Sequence, residues 1–162
     1  MASTNRGARA VTAAGGVTTH IIHQRMIRAP VFVTDRLESA LRLQAWIMDH
    51  EPEIRSQVNQ VGHHTRLVQL DPVLIGRNLH LRFLFETGDA AGQNSSTLAT
   101  WRACQWIRAQ TAYLPDLPIE HFFVEANTSG DKKATSLNYV MGRGFRVTAE
   151  ALLPPIALSR LR

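Results

Sequence analysis

Cysteine is almost absent. Cys104 is the single one in 162 residues, which excludes an intrachain disulfide framework and fits a reducing compartment. No apolar run reaches the length that crosses a bilayer, and the first residues carry no signal-peptide hydrophobic segment. The reading is a cytoplasmic protein with no membrane partner. Aromatics make up only 7% of the chain, with no aromatic-interleaved RNA-binding motif and no zinc-finger spacing. The arginines are scattered from Arg6 to Arg162 without a dense block, so the net charge of +5 reflects a preference for arginine and no nucleic-acid partner is expected. His63-His64 lacks further ligands at metal spacing, and no metal is expected. Lysine is scarce as well. Of the 18 basic residues two are lysine, and they are neighbours, Lys132-Lys133, directly after Gly130-Asp131. An ammonium is a compact, titratable point charge where guanidinium demands a planar partner. The pair reads either as two solvated loop lysines or as a deliberate placement of titratable charge.

What is present is a 44% apolar chain with room for one core, read as a single domain over residues 1–162. Residues 3–14 read as a short helix ended by Gly15-Gly16, and β-branched residues 17–23, extended through 25–33, read as strands. Thr34-Asp35 starts a helix in which Leu37, Leu41, Ala45 and Met48 share a face, widened by Leu43, Trp46 and Ile47 and perturbed at Pro52. A strand around 65–70 is followed by a connection at Asp71-Pro72 and a turn at Gly76-Arg77-Asn78. In the strand at 79–85, Leu79, Leu81, Phe83 and Phe85 share one face. A second helix spans about 97–112, with Leu98, Trp101, Cys104 and Ile107 on its apolar side. Then come a strand at 121–124, a polar loop, a short helix over 135–141 and a last strand over 145–153. The order strand, helix, strand, strand, helix, strand predicts an α+β fold, a ferredoxin-like split βαβ sandwich with an antiparallel sheet.

The stretch Gly88-Asp89-Ala90-Ala91-Gly92-Gln93-Asn94-Ser95-Ser96 lies between the strand at 79–85 and the second helix. Strand, glycine-bearing turn and helix start together make an anion- or nucleotide-accepting loop, because the glycines admit close backbone approach and the first-turn N–H groups face the ligand. The same residues also read as a tight turn whose Asp and Ser cap the helix, and on this stretch alone capping is the stronger reading.

From Ala2 to about Pro154 the chain resembles the small cofactor-binding domain of HMG-CoA reductase. The resemblance is carried in order by Ala2-Ser3-Thr4-Asn5-Arg6-Gly7, Arg28-Ala29-Pro30-Val31, Thr65-Arg66, Gly76-Arg77-Asn78-Leu79 with Arg82-Phe83, and Gly88-Asp89-Ala90-Ala91-Gly92-Gln93-Asn94. It continues through Asn127, Asp131-Lys132-Lys133, Asn138 and Gly142-Arg143-Gly144. The resemblance implies a ferredoxin-like fold. It further implies that Lys132 matches the catalytic lysine that polarises the thioester carbonyl, with Asp131 and Asn127 in the same loop. Asp89 and Asn94 match the dinucleotide loop, Arg66 a contact to the NADP phosphate region and Arg28 a substrate-anchoring arginine.

The departures set the functional expectation. The family's catalytic glutamate precedes the matched segment, and its large domain, with the catalytic aspartate and histidine, has no counterpart in these 162 residues. The family's dinucleotide-loop methionines are replaced by Ala91, Gln93 and Ser95. These departures point to a non-redox catalyst on a repurposed domain with an enlarged cleft and no cofactor. The resemblance to small stand-alone proteins of this domain type implies a cyclase of the cycloaddition type that folds a linear, largely apolar polyketide, as in bacterial macrolide pathways. Its catalytic residues would be Lys132, Asp131 and Asn94, and its substrate-binding residues Arg82, Asp89, Ala91, Gln93, Trp101, Asn127, Arg28 and Arg66. The alternative is an NADP(H)-binding half of a split reductase or an NADP-binding module. An interaction protein with relic loops is a third reading, and a homo-oligomer is expected because an isolated small domain exposes a former partner face. Cys104 is expected to be packed and inert.

Overall fold

A computed structural model describes residues 2–130, 133–141 and 143–156. Its contacts group the chain into two compact units, one of residues 1–23 with 145–162 and one of residues 24–144. The smaller unit begins with α1 (Ala2–Ala13). That helix is closed where the Gly16 N–H donates to the Val11 carbonyl at 2.9 Å, with Gly15 at φ 106°, as the glycine pair in the sequence requires. β1 (Thr18–Arg28) follows, and β6 (Gly144–Glu150), from the end of the chain, is its hydrogen-bonded neighbour.

The larger unit holds the ferredoxin-like order. After the last residues of β1 come β2 (Val31–Thr34), α2 (Leu37–Asp49), α3 (Glu51–Asn59), β3 (Arg66–Ile75), β4 (Asn78–Glu86), α4 (Gln93–Thr111), β5 (Ile119–Phe123) and α5 (Ser136–Met141). Across the sheet β5 lies beside β2, β2 beside β4 and β4 beside β3, each pair antiparallel. The expected α+β sandwich with an antiparallel sheet is what forms. β1 and β2 lie along the same edge of β4 in one unbroken register, Met26↔Phe85 to Arg28↔Phe83 and then Val31↔His80 to Val33↔Asn78. Ala29-Pro30 interrupts the strand because proline has no N–H to give the ladder. Its carbonyl still accepts from the Leu81 N–H at 2.9 Å.

Leu79, Leu81, Phe83 and Phe85 do share the buried face, packed with Met26, Phe32, Leu67 and Leu70 against the helices. Two helix faces differ from the sequence expectation. On α2 the residues in the core are Ala40, Leu43 and Ile47, whereas Leu37, Leu41 and Met48 are exposed. On α4, Ala99, Ala103, Cys104 and Ile107 face the sheet, whereas Leu98 and Trp101 are exposed. Each helix carries apolar residues over more than half a turn, and the sheet takes the stripe whose small residues, Ala40, Ala99 and Ala103, permit close approach. Cys104 is fully buried, and burial pushes its thiol well above the ordinary value, so it is inert as expected.

Pro52 starts α3 within its first turn and so makes α2 and α3 separate helices. Asp71-Pro72 does not end β3, which continues to Ile75. Among the described residues β3 pairs with β4 alone, as an edge strand, where a missing N–H is tolerated. Thr34 does not cap α2: its hydroxyl donates to the Arg36 and Arg77 carbonyls instead.

Candidate functional site

Two loops follow parallel strand ends, one after β4 and one after β5. Between them runs Arg28-Ala29-Pro30.

The first loop, residues 87–92, is built on Thr87. Its N–H donates to Gln24 Oε1 at 3.2 Å, and its hydroxyl donates to the Ala90 carbonyl at 2.7 Å. The chain then enters α4 through Gly92, the N-cap, at φ 65°. A side chain at Gly92 would collide with Thr87 Cγ2 and Cβ. The helix begins at Gln93, four residues before the expected start, and among the described residues no side chain caps it. Ser95 and Ser96 donate to the Gly92 and Gln93 carbonyls, so neither fills the capping role. The first-turn N–H groups therefore lack intrahelical acceptors and side-chain caps alike. Asp89, Ala91, Gln93 and Asn94 are exposed around this turn.

Arg66 belongs to the same surroundings. Thr65, its neighbour, donates through Oγ1 to Ser95 Oγ at 2.8 Å. The Arg66 side chain is 70% exposed and pairs with Glu86, which also holds Arg25 at 2.9 Å. The Arg66 hydrogen bond, with a smaller contribution from Arg25, keeps the Glu86 carboxyl below the usual carboxylate range.

Arg28 is 6% exposed and lies under the start of α4. Its Nε donates to Thr97 Oγ1 at 2.8 Å, its Nη2 to the Gln93 carbonyl at 3.0 Å and its Nη1 to the Ile27 carbonyl at 3.0 Å. The next residue, Ala29, holds the second loop. Its carbonyl accepts from the Ala126 N–H at 3.0 Å, and its N–H donates to Glu125 Oε2 at 3.4 Å. Two consecutive residues thus tie both loops to the centre of the sheet.

The second loop is folded around Glu125, whose Oε1 accepts from the Asn127 N–H and from Ser129 Oγ, each at 3.0 Å. Asn127 sits at φ 66°, a left-handed conformation that asparagine tolerates. Asp131 and Lys132 lie outside the described residues. The turn is fastened on either side of them by Asn138, whose Nδ2 donates to the Gly130 carbonyl at 2.6 Å and to the Lys133 carbonyl at 2.8 Å. Gly130 is left-handed, φ 68°, and a Cβ there would stand 2.5 Å from Asn138 Oδ1.

Under this loop, His80 Nδ1 lies 3.2 Å from Thr128 Oγ1. Burial lowers the pKa of the imidazole below the ordinary 6.5. The folded protein therefore resists a proton that the unfolded chain accepts. Stability is complete above about pH 6.5 and falls as the pH drops toward the folded value. Melting temperature should decline between about pH 7.5 and pH 5 more steeply in the native protein than in His80→Gln; equal slopes would deny His80 this role.

Arg28, Arg66, Asp89, Ala91, Gln93 and Asn94 gather around the start of α4, and Asn127 stands in the second loop. Of the remaining expected residues, the two that are described, Arg82 and Trp101, lie apart. Arg82 alternates onto the opposite sheet face from Arg28 and pairs with Asp71 on β3. Trp101 is about two turns along α4 from Gln93, with its ring 5.8 Å from that of Phe122. Gln24, Thr87, Glu125, His80 and Asn138 organise the loops but were not among the expected site residues. Only Asn138 had a signal, its place in the motif beyond Asp131-Lys132-Lys133. Among the described residues no group of histidine, cysteine and acidic side chains is arranged to hold a metal, and no helix is long and apolar enough to cross a membrane.

The family model described as hydroxymethylglutaryl-coenzyme A reductase matches residues 1–161. The 3-hydroxy-3-methylglutaryl-coenzyme A reductase of Methanocaldococcus jannaschii is 36% identical over 154 residues, covering 94% of this chain and 38% of the relative. Reductase 2 of Dictyostelium discoideum is 37% identical over 158 residues, 94% of this chain and 28% of the relative. The chain thus spans well under half the length of these relatives. A class II reductase from Streptococcus pneumoniae, determined bound to NADPH in open conformations, shares the fold at TM-score 0.57 and 16% identity, over 68% of this chain and 32% of that one. These findings overturn the expectation that no cofactor is used: the relatives are reductases, and one solved example holds NADPH. With its match running over residues 1–161 and relatives at 36% identity, the chain belongs to the HMG-CoA reductase family.

Proposed function

We propose that this chain binds NADP(H) as the nucleotide-binding part of a reductase of its family. The observation that carries the reading is the start of α4: a left-handed glycine cap, uncapped first-turn amides and an exposed arginine beside them. Backbone N–H groups and the helix dipole favour a pyrophosphate at such a turn. Arg66 would face a further phosphate, as a guanidinium suits planar anion recognition. Gly92 is needed for the turn itself, because at φ 65° a Cβ there would strike Thr87 and displace the first-turn amides.

When bound, the nicotinamide supplies a hydride. Of this chain's own groups, Asn94 and Asp89 would orient the nucleotide. Lys132 would place a positive charge toward a developing oxyanion, with Asp131 and Asn127 in its loop. The substrate would be a small molecule. Ring closure on an apolar polyketide draws no support from the reductase relatives. The residues meant to line its cleft, Ala91 and Gln93, are exposed.

The three tryptophans of the chain, Trp46, Trp101 and Trp106, provide the assay. NADPH should quench their fluorescence saturably in the micromolar range, and Arg66→Ala should weaken NADPH about tenfold while moving NADH less. No response at millimolar NADPH would remove the proposal.

A further inference from the structure

The backbone register between β1 and β4 runs from Arg28↔Phe83 to Met26↔Phe85. Beyond it, side chains take over the next two positions. Arg25 pairs with Glu86 at 2.9 Å. Gln24 then engages Thr87 and Gly88 as a second peptide group would. Its Oε1 accepts the Thr87 N–H at 3.2 Å, while its Nε2 donates to the Gly88 carbonyl at 2.5 Å and to Thr87 Oγ1 at 3.3 Å.

We propose that Gln24 is the positioning residue of the nucleotide loop, a side-chain amide that extends the sheet ladder by one peptide to fix where the loop departs. The inference rests on the NADP(H) reading of that loop. Three features support it. The amide satisfies a donor and an acceptor of consecutive loop residues at once, which neither an aliphatic nor a charged side chain can do. Because Thr87 Oγ1 accepts from Gln24, its own proton is directed to the Ala90 carbonyl. Thr87 in turn is the side chain that Gly92 must clear. One amide therefore orients the hydroxyl, the hydroxyl folds the loop, and the folded loop presents the first turn of α4.

The test uses the whole chain, NADP+ as probe because it survives acid, and two variants. Gln24→Leu should weaken NADP+ about tenfold by calorimetry. It should also speed amide exchange in residues 87–93 with the melting temperature nearly unchanged. Gln24→Glu should behave like Gln24→Leu at about pH 8, where the new carboxylate repels the Gly88 carbonyl. It should recover toward the native affinity near about pH 4, where a protonated carboxyl again offers one donor and one acceptor. His23 and Arg25 on β1, Glu86 on β4, Arg66 beside it and Asp89 in the loop are common to variant and native protein, so the affinity ratio isolates residue 24. A purely structural role would instead lower the melting temperature of Gln24→Leu and spread the faster exchange beyond residues 87–93. Native affinity in both variants at every pH, or unchanged loop exchange in Gln24→Leu, overturns the inference. If the native protein binds no NADP+, the functional reading falls, while exchange confined to the loop of Gln24→Leu still decides whether the amide fixes it.

Discussion

Gly92→Ala should abolish detectable NADP+ binding and lower stability by about 2–5 kcal/mol. Two costs combine. At φ 65° a residue with a Cβ sits in the left-handed region at about 1–2 kcal/mol. The added methyl would also strike Thr87 Cγ2 and Cβ, and such overpacking typically costs about 1–3 kcal/mol. Thr87 is poorly placed to yield, since it is β-branched and stiff and is anchored to Gln24 and Ala90. The loop has to move instead, taking the first-turn amides with it. Gly76→Ala is the internal control, because Gly76 is also left-handed, φ 59°, yet a Cβ there meets nothing within 4 Å. It should lose stability through strain alone and keep its nucleotide affinity. A thermal melt and an NADP+ titration of both variants suffice. Equal affinities would show that the backbone at Gly92 is not part of a nucleotide cradle.

That contrast also marks how far residue patterns reach. Alternation over 79–85 gave the buried strand face correctly, because one side of a strand must be apolar and the other need not be. The order of elements gave the antiparallel α+β sheet. Helix faces were harder: Leu37, Leu41 and Met48 form as good a stripe as Ala40, Leu43 and Ile47, and only the neighbouring sheet chooses between them. The glycine loop was legible as a turn into a helix. Its capping was not, because Ser95 and Ser96 compete for backbone carbonyls as readily as for amides. Gln24 lay beyond any sequence reading. It acts 63 and 64 residues away, on Thr87 and Gly88, and no local period encodes a partner that distant. The cofactor was misjudged because lost methionines in the loop were weighed as lost packing. The amides and the arginine that we propose meet the phosphates involve no methionine.

Arg28→Lys should lower the melting temperature by about 4–12 °C, corresponding to about 2–3 kcal/mol in a chain of this size, and weaken NADP+ as well. The resemblance casts Arg28 as a substrate anchor, a role that would leave the free protein's stability indifferent to the exchange. Its surroundings imply more. The residue is 6% exposed and its three guanidinium nitrogens reach Thr97 Oγ1, the Gln93 carbonyl and the Ile27 carbonyl. A lysine keeps the charge but offers one tetrahedral head in place of a planar fork, so acceptors at separate corners cannot all be served. Each hydrogen bond from a charged donor is worth about 1.5–3 kcal/mol. Gln93 opens α4, and although Ser96 and Thr97 hydroxyls still donate to its carbonyl, losing the Arg28 donor should loosen the turn whose amides would hold the pyrophosphate. Ala29, next in the chain, fixes Glu125 and Ala126, and the disturbance should therefore extend to the loop containing Lys132. Amide exchange should quicken at both residues 87–97 and residues 125–130 in Arg28→Lys, but only in the former in Gln24→Leu. Exchange that changes at neither loop, together with a native melting temperature, would reduce Arg28 to the anchoring role alone.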